Sequence, residues 1–451
     1  MKKSVLLFCL VAAFAVSSLT QSSDAALRRA MRLDDDQRDA SGKLAELTAA
    51  EHLTRAEVYS SNRLFPQARE HWQQVLDRFP SDPGISKALF GTARSYMWER
   101  KYDQAVSWFD RLTKDFLFTK DGREGLSFKG ASLVRIGKNA EAARVYEQYV
   151  AAFPDGERIE SAHLNIIDAY REAGDFQQAE DWVDKTVLRF RGKPTAVNAL
   201  HARVRMEIFR GNWGEAASAA DLLLSGKSFA GSMTSGDEVR YLKALALEKA
   251  GRTGESRSVL ASIGSGSYFG ALAADKLGGG SVKATAAVSS ADFPAAFRSE
   301  LIRYAAPRGI DPRFVLAIMK QESTFRPRAK SPSAARGLLQ LVYDTALKYN
   351  KMAGYPSLQP DDLYAPSTNI AVGSAYMADL KKQFGGLYEA IAASYNGGED
   401  NAARWLNRSR PKDPGVFVAE VGFAETKNYV LKVMNNYRVY RQLYTEDLVR
   451  R

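Results

Sequence analysis

One carboxylate lies where an apolar helix is expected to end and a polar loop to begin. Asp311-Pro312 is typical of a helix start, and Glu322 follows Ile318 and Met319 at spacings of four and three. This spacing places the carboxylate on the stripe that should face the core. Partial burial raises the pKa of a carboxyl group, so Glu322 is suited to be a general acid.

A simpler interpretation is a structural glutamate at a helix end, paired with Lys320 or Arg326.

The C-terminal third lacks the residue types that several kinds of catalysis require, and this limits the reactions that it could catalyse. The four histidines lie at positions 52, 71, 163 and 201, so neither a Ser-His-Asp nor a Cys-His unit can form there, and no metal-ligand spacing occurs. Carboxylate chemistry remains, although glycosidases normally use two acids. In residues 331–345 the one further acid is Asp344.

The string that begins at Glu322, ESTFRPRAKSPSAARGLLQLVYDTA, resembles the signature of the Slt-type soluble lytic transglycosylases. In that family a Glu-Ser pair precedes Ser-Pro, Gly-Leu-Met-Gln and Thr-Ala. A second block begins at Asn369 and continues through ASYNGG at 393–398, and a third comprises FVAEV at 417–421 with Glu425-Thr426. The three blocks occur in the family's order, and the resemblance as a whole extends over roughly residues 295 to 445, about a third of the chain.

The resemblance implies a mechanism with one acid. Glu322 would protonate the oxygen between N-acetylmuramic acid and N-acetylglucosamine and then act as a base. The muramic 6-hydroxyl would attack its own anomeric carbon, which leaves a 1,6-anhydromuramic end. This chemistry implies peptidoglycan as the substrate and needs no cofactor and no metal.

The resemblance also implies substrate-binding residues. Ser331 and Gln340 would bond the acetamido and neighbouring groups, and Tyr395 would place its hydroxyl against the catalytic carboxylate. Asn396 would line the cleft, and Glu425 would contact sugar or basic neighbours. Each has a structural alternative: a loop cap for Ser331, a helix end before a Gly-Gly turn for Tyr395 and Asn396, and a favourable helix start for Glu425.

Several positions depart from the family pattern. Ala334-Ala335 replaces Gly-Ala, and Leu339 replaces the methionine of Gly-Leu-Met-Gln. Val342 replaces a second methionine, and Tyr343 replaces a proline. These changes affect the wall of the expected cleft and leave the acid in place.

The region before this third repeats itself every 37 residues. Small alanines recur at that step: Ala68, Ala105, Ala142, Ala179 and Ala216. Gly137, Gly174 and Gly211 lie five residues before their alanines, where a turn between two helices is expected. The period predicts a helix-turn-helix superhelix resembling tetratricopeptide repeats, with a weaker last unit around Gly251. Such an arm is either architectural or a surface for peptide, glycan or protein partners.

The C-terminal third is predicted to be helical. Thr426 is expected to cap a last helix, with Tyr429, Tyr437, Tyr440 and Tyr444 along one side. We interpret this aromatic stripe as core. The predicted fold class is all-α, with a helical-repeat superhelix followed by a lysozyme-like domain of the kind found in the transglycosylases.

The first residues predict export. Lys2 and Lys3, the apolar run at 5–16 and Ser23-Asp24-Ala25 are typical of a secretory signal. No later stretch has the length of apolar sequence that a membrane span requires, so a soluble periplasmic protein without a stable membrane anchor is expected. The formal net charge is +11, of which +8 lies from residue 298 onward. A basic surface favours an anionic partner, and export favours peptidoglycan over nucleic acid.

These observations define a domain scheme and three hypotheses. The predicted segments are a signal peptide at 1–25, a repeat arm at 26–277, a linker at 278–294 and a transglycosylase domain at 295–451. The leading hypothesis is an exported lytic transglycosylase. The alternatives are a hydrolytic muramidase, and a non-catalytic scaffold that binds peptidoglycan and uses its repeat arm for partners.

Overall fold

The computed structural model describes residues 12–44, 46–226, 228–279 and 291–451, and side chains from residue 25 onward. Within these ranges the chain forms twenty-two α-helices and two short 3-10 helices. The β-structure found in these ranges consists of isolated β-bridges. The all-α prediction is confirmed. The predicted signal peptide lies almost entirely among residues that are not described or whose side chains are not described. Most of the predicted linker, residues 280–290, also lies outside the described residues.

The N-terminal helices follow one another with short turns. Their bounds are α1 Ala12–Gln37, α2 Ala49–Ser61, α3 Phe65–Arg78, α4 Ile85–Trp98, α5 Tyr102–Phe116, α6 Lys120–Arg135, α7 Asn139–Ala152, α8 Ile159–Ala173, α9 Phe176–Arg189, α10 Pro194–Arg210, α11 Trp213–Leu224, α12 Gly236–Lys249, α13 Thr253–Ala261 and α14 Tyr268–Lys276.

The C-terminal third adds eight α-helices and both 3-10 helices. Their bounds are α15 Arg298–Tyr304, η1 Ala306–Arg308, α16 Pro312–Glu322, α17 Tyr343–Tyr349, η2 Pro360–Tyr364, α18 Pro366–Gln383, α19 Tyr388–Gly397, α20 Glu399–Arg408, α21 Pro414–Glu420 and α22 Ala424–Leu443.

The chain divides into two compact units, each made of two chain segments. One unit comprises Met1–Ile136 with Glu322–Tyr376, and the other comprises Gly137–Gln321 with Met377–Arg451. Each unit therefore combines repeat helices with a part of the C-terminal third. The domain limits at residues 277 and 295 stay a prediction.

The 37-residue period corresponds to a repeated structural position. Each of the five alanines is the fourth residue of its helix (α3, α5, α7, α9 and α11), and each is fully buried. A larger side chain at these positions would have no space, because a neighbouring helix packs closely against the methyl group. Ser256 occupies the corresponding place in α13, where it is buried and donates to Ala244 O at 2.8 Å.

The turn glycines also have the expected geometry. Gly137, Gly174 and Gly211 have φ values of 77°, 79° and 77°, a left-handed conformation that glycine adopts without steric penalty. Arg100 and Arg63 lie one and two periods before Gly137 and take the same conformation, with φ of 64° and 63°. A non-glycine residue there costs about 1–2 kcal/mol, which suggests that these arginines have another use.

The repeat helices supply a core to each unit. In the first unit it includes Trp72, Phe90 and Phe109 from α3, α4 and α5. In the second unit, Leu242 and Leu245 of α12 pack in one cluster with Val416 of α21. The arm and the C-terminal third therefore share a hydrophobic core in the second unit.

Three local predictions for the C-terminal third can be compared with the structure. Helix α16 begins at Pro312, after the Asp311 carboxylate that accepts from Arg313 N at 2.9 Å. The tyrosine stripe of α22 is buried, as expected. The prediction that Thr426 caps α22 is wrong: the helix starts at Ala424, and the Thr426 hydroxyl donates to Asn396 Oδ1 at 2.7 Å. The tertiary partner is the acceptor that this hydroxyl uses.

Across the described residues, none of the helices combines the length and apolar composition needed to cross a bilayer.

Candidate functional site

Glu322 is the last residue of α16, and its side chain is half-buried. The backbone turns sharply after it, because Thr324 and Phe325 have φ of 50° and 59°. A left-handed conformation is rare for a β-branched residue and is often found at functional sites. Ser323 is buried, and its hydroxyl donates to Leu338 O at 2.7 Å, which fastens the turn to the following loop.

The two basic neighbours proposed as partners of Glu322 both donate to backbone carbonyls. The Lys320 ammonium donates to Asp292 O at 2.5 Å and lies 4.3 Å from the centre of the Phe293 ring. The Arg326 Nε donates to Ser323 O at 3.0 Å.

The loop that follows Glu322 folds back on itself, and backbone hydrogen bonds join its two sides. Arg336 and Leu341 exchange two backbone hydrogen bonds of 2.9 and 3.0 Å, and Gly337 N donates to Ala329 O at 2.9 Å. Two basic side chains are buried in this loop, Lys330 at 5% exposure and Arg336 at 1%. Buried cations are rare unless they are paired or hydrogen-bonded. Arg336 donates from NH1 to Ala334 O at 2.9 Å.

Asn369 holds this loop against α18. Its Nδ2 donates to Arg336 O at 2.9 Å and to Leu363 O at 2.8 Å, and its Oδ1 accepts from Leu339 N at 2.8 Å. The side chain is completely buried. One amide therefore satisfies three backbone groups that would otherwise be unpaired in the interior.

Close approach explains the glycine of the Gly-Leu-Leu-Gln segment. Gly337 has φ of 79°, and a Cβ there would lie 2.1 Å from Leu363 O and 2.3 Å from Asn369 Nδ2. Ala334, which stands where the family has glycine, keeps a left-handed φ of 58° although it carries a Cβ. The alanine at this position therefore holds a conformation that glycine would adopt without steric penalty.

Ser331 and Gln340 lie at the two ends of the loop, and both are half-exposed. The Ser331 Oγ accepts from Ala335 N at 3.1 Å, which is the loop cap given above as its structural alternative. The Gln340 Nε2 donates to Ala329 O at 3.0 Å and Gly337 O at 2.8 Å. These bonds do not use the Ser331 hydroxyl hydrogen or the Gln340 amide oxygen.

The three other departures from the family occupy different environments. Leu339 is fully buried and packs against Gly373. A Cβ on Gly373 would lie only 2.4 Å from the Leu339 Cδ1. Val342 and Tyr343 are half-exposed at the start of α17, and the Tyr343 hydroxyl donates to Leu358 O at 2.9 Å. The Leu339 change is therefore internal, whereas Val342 and Tyr343 can alter the surface.

Repeat residues of the first unit contact the same loop. Arg63 binds Asp344 through two hydrogen bonds, Nε to Oδ1 at 2.7 Å and NH2 to Oδ2 at 2.8 Å. Lys330 Nζ donates to Asn62 Oδ1 at 3.3 Å. Both oxygens of Asp344 are thus engaged by an arginine, which gives this acid a structural explanation. The left-handed Arg63 turn brings that guanidinium to the first turn of α17.

Tyr395, Asn396 and Glu425 belong to the second unit. Tyr395 is half-buried near the end of α19, and Asn396 and Glu425 are exposed. The bond from Thr426 to Asn396 brings Asn396 to the first turn of α22, where Glu425 lies. Glu425 near a helix N-terminus is also favourable to that helix, which agrees with its structural alternative.

A buried tyrosine positions helix α19. The Tyr268 hydroxyl donates to Glu389 Oε1 at 2.9 Å, and Glu389 is 7% exposed. Burial raises the pKa of Glu389 above its ordinary value. A buried carboxyl group is tolerated when it is protonated or hydrogen-bonded. The hydrogen bond from Tyr268 links α14 to α19, the helix that carries Tyr395.

Glu420 is the centre of a buried ion network. Its carboxylate accepts from Arg171 NH2 and Arg205 NH1, each at 2.9 Å, and lies 3.1 Å from Arg408 Nε. Burial by itself would raise the pKa of Glu420, but the three arginines outweigh it and lower the pKa to about 2. Helices α8 and α10 of the arm are therefore joined to α20 and α21.

A second buried pair fastens α22 to the arm. Lys427 Nζ donates to Glu238 Oε1 at 2.6 Å, and His201 Nε2 lies 3.0 Å from the same oxygen. Burial lowers the pKa of His201 to about 4 despite the adjacent Glu238. The histidine is therefore neutral near pH 7, and lysine is the cation that balances Glu238.

Sequence reasoning missed the supporting residues of this site. Asn369 and Glu420 lie inside the family blocks but were given no role, and Asn62 and Arg63 were not singled out. The signals available were polar or charged residues inside apolar runs, as in FVAEV. Their partners are distant in sequence, so the sequence could not indicate what they bind.

We expect Asn369→Leu to lower the free energy of unfolding by about 3 kcal/mol, because three buried backbone groups lose their partner. Asn428→Leu, at an exposed position of α22, is the matched control and should leave the denaturation midpoint close to that of the wild type. Urea denaturation of both variants measures the difference. Equal midpoints for the two variants would mean that the loop does not depend on Asn369.

Family models match two regions of the chain. Residues 300–417 match the model described as the transglycosylase SLT domain. Residues 53–116 and 129–196 match a tetratricopeptide repeat model. The chain therefore carries an SLT transglycosylase domain together with tetratricopeptide repeats, as the sequence motifs predicted.

The chain is similar to the soluble lytic murein transglycosylase of Salmonella typhimurium, at 35% identity over 151 residues. That match covers 33% of this chain and 23% of the relative. The chain thus spans less than a quarter of the length of this relative.

Two solved structures share the fold. One is an inactive mutant of the lytic transglycosylase Slt from Pseudomonas aeruginosa in which glutamine replaces a glutamate, with TM-score 0.51, 19% identity, and coverage of 93% of this chain and 86% of that one. The other is a 70-kDa soluble lytic transglycosylase in complex with bulgecin A, with TM-score 0.50, 19% identity, and coverage of 96% and 87%.

Proposed function

We propose that this protein is an exported lytic transglycosylase that acts on peptidoglycan in the periplasm. The observation that carries the proposal is the SLT domain match at 300–417, which contains Glu322 at the end of α16 and the fastened loop behind it. The matched relative is named for lytic activity on murein. The net charge of +11 suits a polymer whose peptides bear carboxylates.

In the proposed reaction, Glu322 gives its proton to the glycosidic oxygen as the bond to the muramic anomeric carbon breaks. The muramic 6-hydroxyl then adds to that carbon and returns its proton to Glu322. The products are a new N-acetylglucosamine hydroxyl and a 1,6-anhydromuramic end, and no water is consumed. General acid-base catalysis of this kind needs one carboxyl group in two protonation states and no cofactor.

The substrate-binding roles are proposed for residues that keep unused polar groups. Ser331 can donate its hydroxyl hydrogen while it caps the loop, and Gln340 can accept at its amide oxygen. Asn396 is exposed and accepts one bond from Thr426 at Oδ1, which leaves Nδ2 for sugar. For Tyr395 and Glu425 the substrate-binding role is proposed on the family resemblance.

Product analysis separates this function from its neighbour. Purified sacculi are digested with the enzyme, and the muropeptides are analysed by mass spectrometry. We expect anhydromuramic ends, which lack one water relative to reducing ends. Reducing ends would identify a hydrolytic muramidase, and the absence of any released muropeptide would favour a binding scaffold.

A further inference from the structure

Arg94 of α4 occupies an unusual environment in the first unit. Its guanidinium carbon lies 4.3 Å from the centre of the Trp98 ring, 5.2 Å from that of Phe90 and 5.6 Å from that of Phe128. Phe90 and Trp98 precede and follow Arg94 by four residues, so all three share one face of the helix. Three aromatic rings therefore surround the guanidinium at cation–π distance.

The same arginine is half-buried. Among the residues that the structure describes, it forms no hydrogen bond or ion pair, and its Nε is buried. Burial lowers the pKa of Arg94, and Glu124 is the one acid close enough to oppose this. A desolvated cation without a hydrogen-bonded anion is unfavourable. Its N–H edges are therefore suited to receive a carboxylate, which arginine binds through two parallel bonds.

The position of Arg94 links it to the candidate site. Trp98, which contacts Arg94, also lies 5.8 Å from the guanidinium carbon of Arg63. Arg63 binds Asp344 of α17. Asp344 lies four residues after Gln340 in the same unit. Trp98 of α4 is thus connected through Arg63 to α17, the helix that follows the loop proposed to bind the glycan.

We propose that Arg94 and Trp98 form a subsite on the repeat arm that binds a carboxylate of the peptidoglycan strand, with Trp98 stacking on the adjacent apolar or sugar surface. The subsite rests on the proposed function, since it takes the polymer to be peptidoglycan. Two sources share this chemistry, the lactyl carboxylate of muramic acid that lacks its peptide and the carboxylates of the stem peptide.

Binding is measured by calorimetry with the full-length protein in a Glu322→Gln background, so that strands are not cleaved. Three ligands of equal length are compared: peptide-bearing strands, strands stripped of peptide by an amidase, and neutral chitooligosaccharides. We expect Arg94→Gln to weaken binding of a carboxylate-bearing strand about tenfold or more, and that of chitooligosaccharide less than twofold. Loss with stripped strands identifies the lactyl group, and loss with peptide-bearing strands alone identifies the peptide.

Two further variants keep the result interpretable. Arg94→Lys retains the charge on the rings and should lose less affinity than Arg94→Gln. Arg111→Gln is the matched control, because Arg111 also lies 4.3 Å from a tryptophan ring, that of Trp108, but is exposed on α5. It should bind all three ligands as the parent does.

Unchanged affinity of Arg94→Gln for both anionic strands would overturn the subsite. An equal loss with the neutral ligand would also overturn it, because that would show a structural effect. Either result leaves the proposed reaction intact if the wild-type enzyme releases anhydromuramic ends.

Discussion

Glu322→Gln should reduce the release of anhydromuramic ends from purified sacculi by on the order of 10³-fold or more. Glutamine keeps the size of the side chain but can neither give nor take the proton, and in the proposed reaction one residue does both. The rate is measured by mass spectrometry of released muropeptides over time. Because Glu322 is half-buried at a helix end, the denaturation midpoint should change little.

Asp344→Asn is the informative control for this loss. Asp344 is the next acid after Glu322 along the chain, and Arg63 engages both of its oxygens. If its role is structural, the variant should retain most of the wild-type rate. A Glu322→Gln enzyme that still produced anhydromuramic ends at the wild-type rate would exclude Glu322 as the acid. An inactive Asp344→Asn enzyme with an unchanged midpoint would indicate a second catalytic acid.

Glu420→Gln should lower the free energy of unfolding by about 3–5 kcal/mol, since removal of one partner leaves buried charges uncompensated. Here the uncompensated groups are Arg171, Arg205 and Arg408, all in contact with the carboxylate. Urea denaturation measures the change. Glu255→Gln removes an exposed ion pair with Arg252 and should leave the midpoint essentially unchanged. A Glu420→Gln midpoint equal to that of the control would show that the network contributes nothing.

The same residue predicts a pH dependence. The pKa of Glu420 is lowered from 4.5 to about 2 in the folded protein. A lowered folded-state pKa means that its contribution is complete above pH 4.5 and is lost as the pH falls from 4.5 towards 2. The wild type should therefore lose more stability over this interval than Glu420→Gln does. Parallel pH profiles for the two proteins would contradict the assignment.

Local features of the fold could be predicted from the sequence. The 37-residue step identified five buried alanines and three left-handed glycines, because close helix packing and tight turns each admit few residue types. The start of α16 at Pro312 followed from turn chemistry in the same way. The SLT resemblance located the domain that the family model later matched at 300–417.

Predictions that required a distant partner were less successful. Thr426 has the residue type of a helix cap, yet its hydroxyl bonds Asn396, thirty positions earlier. Asn369 was recognised as part of a block, but its three backbone partners in the loop could not be inferred. The sequence also offered no reason why Arg63 should replace glycine at a turn, which its ion pair with Asp344 explains.

The sequence by itself determined the repeat period, the helical class and the position of the candidate acid. These depend on spacing along the chain, and hydrophobic periodicity and turn chemistry act over a few residues. Only the tertiary structure decided how the acid's loop is held and how the arm joins the C-terminal third. Arg171 and Glu420 are 249 positions apart, and a contact between such residues depends on the path of the whole chain.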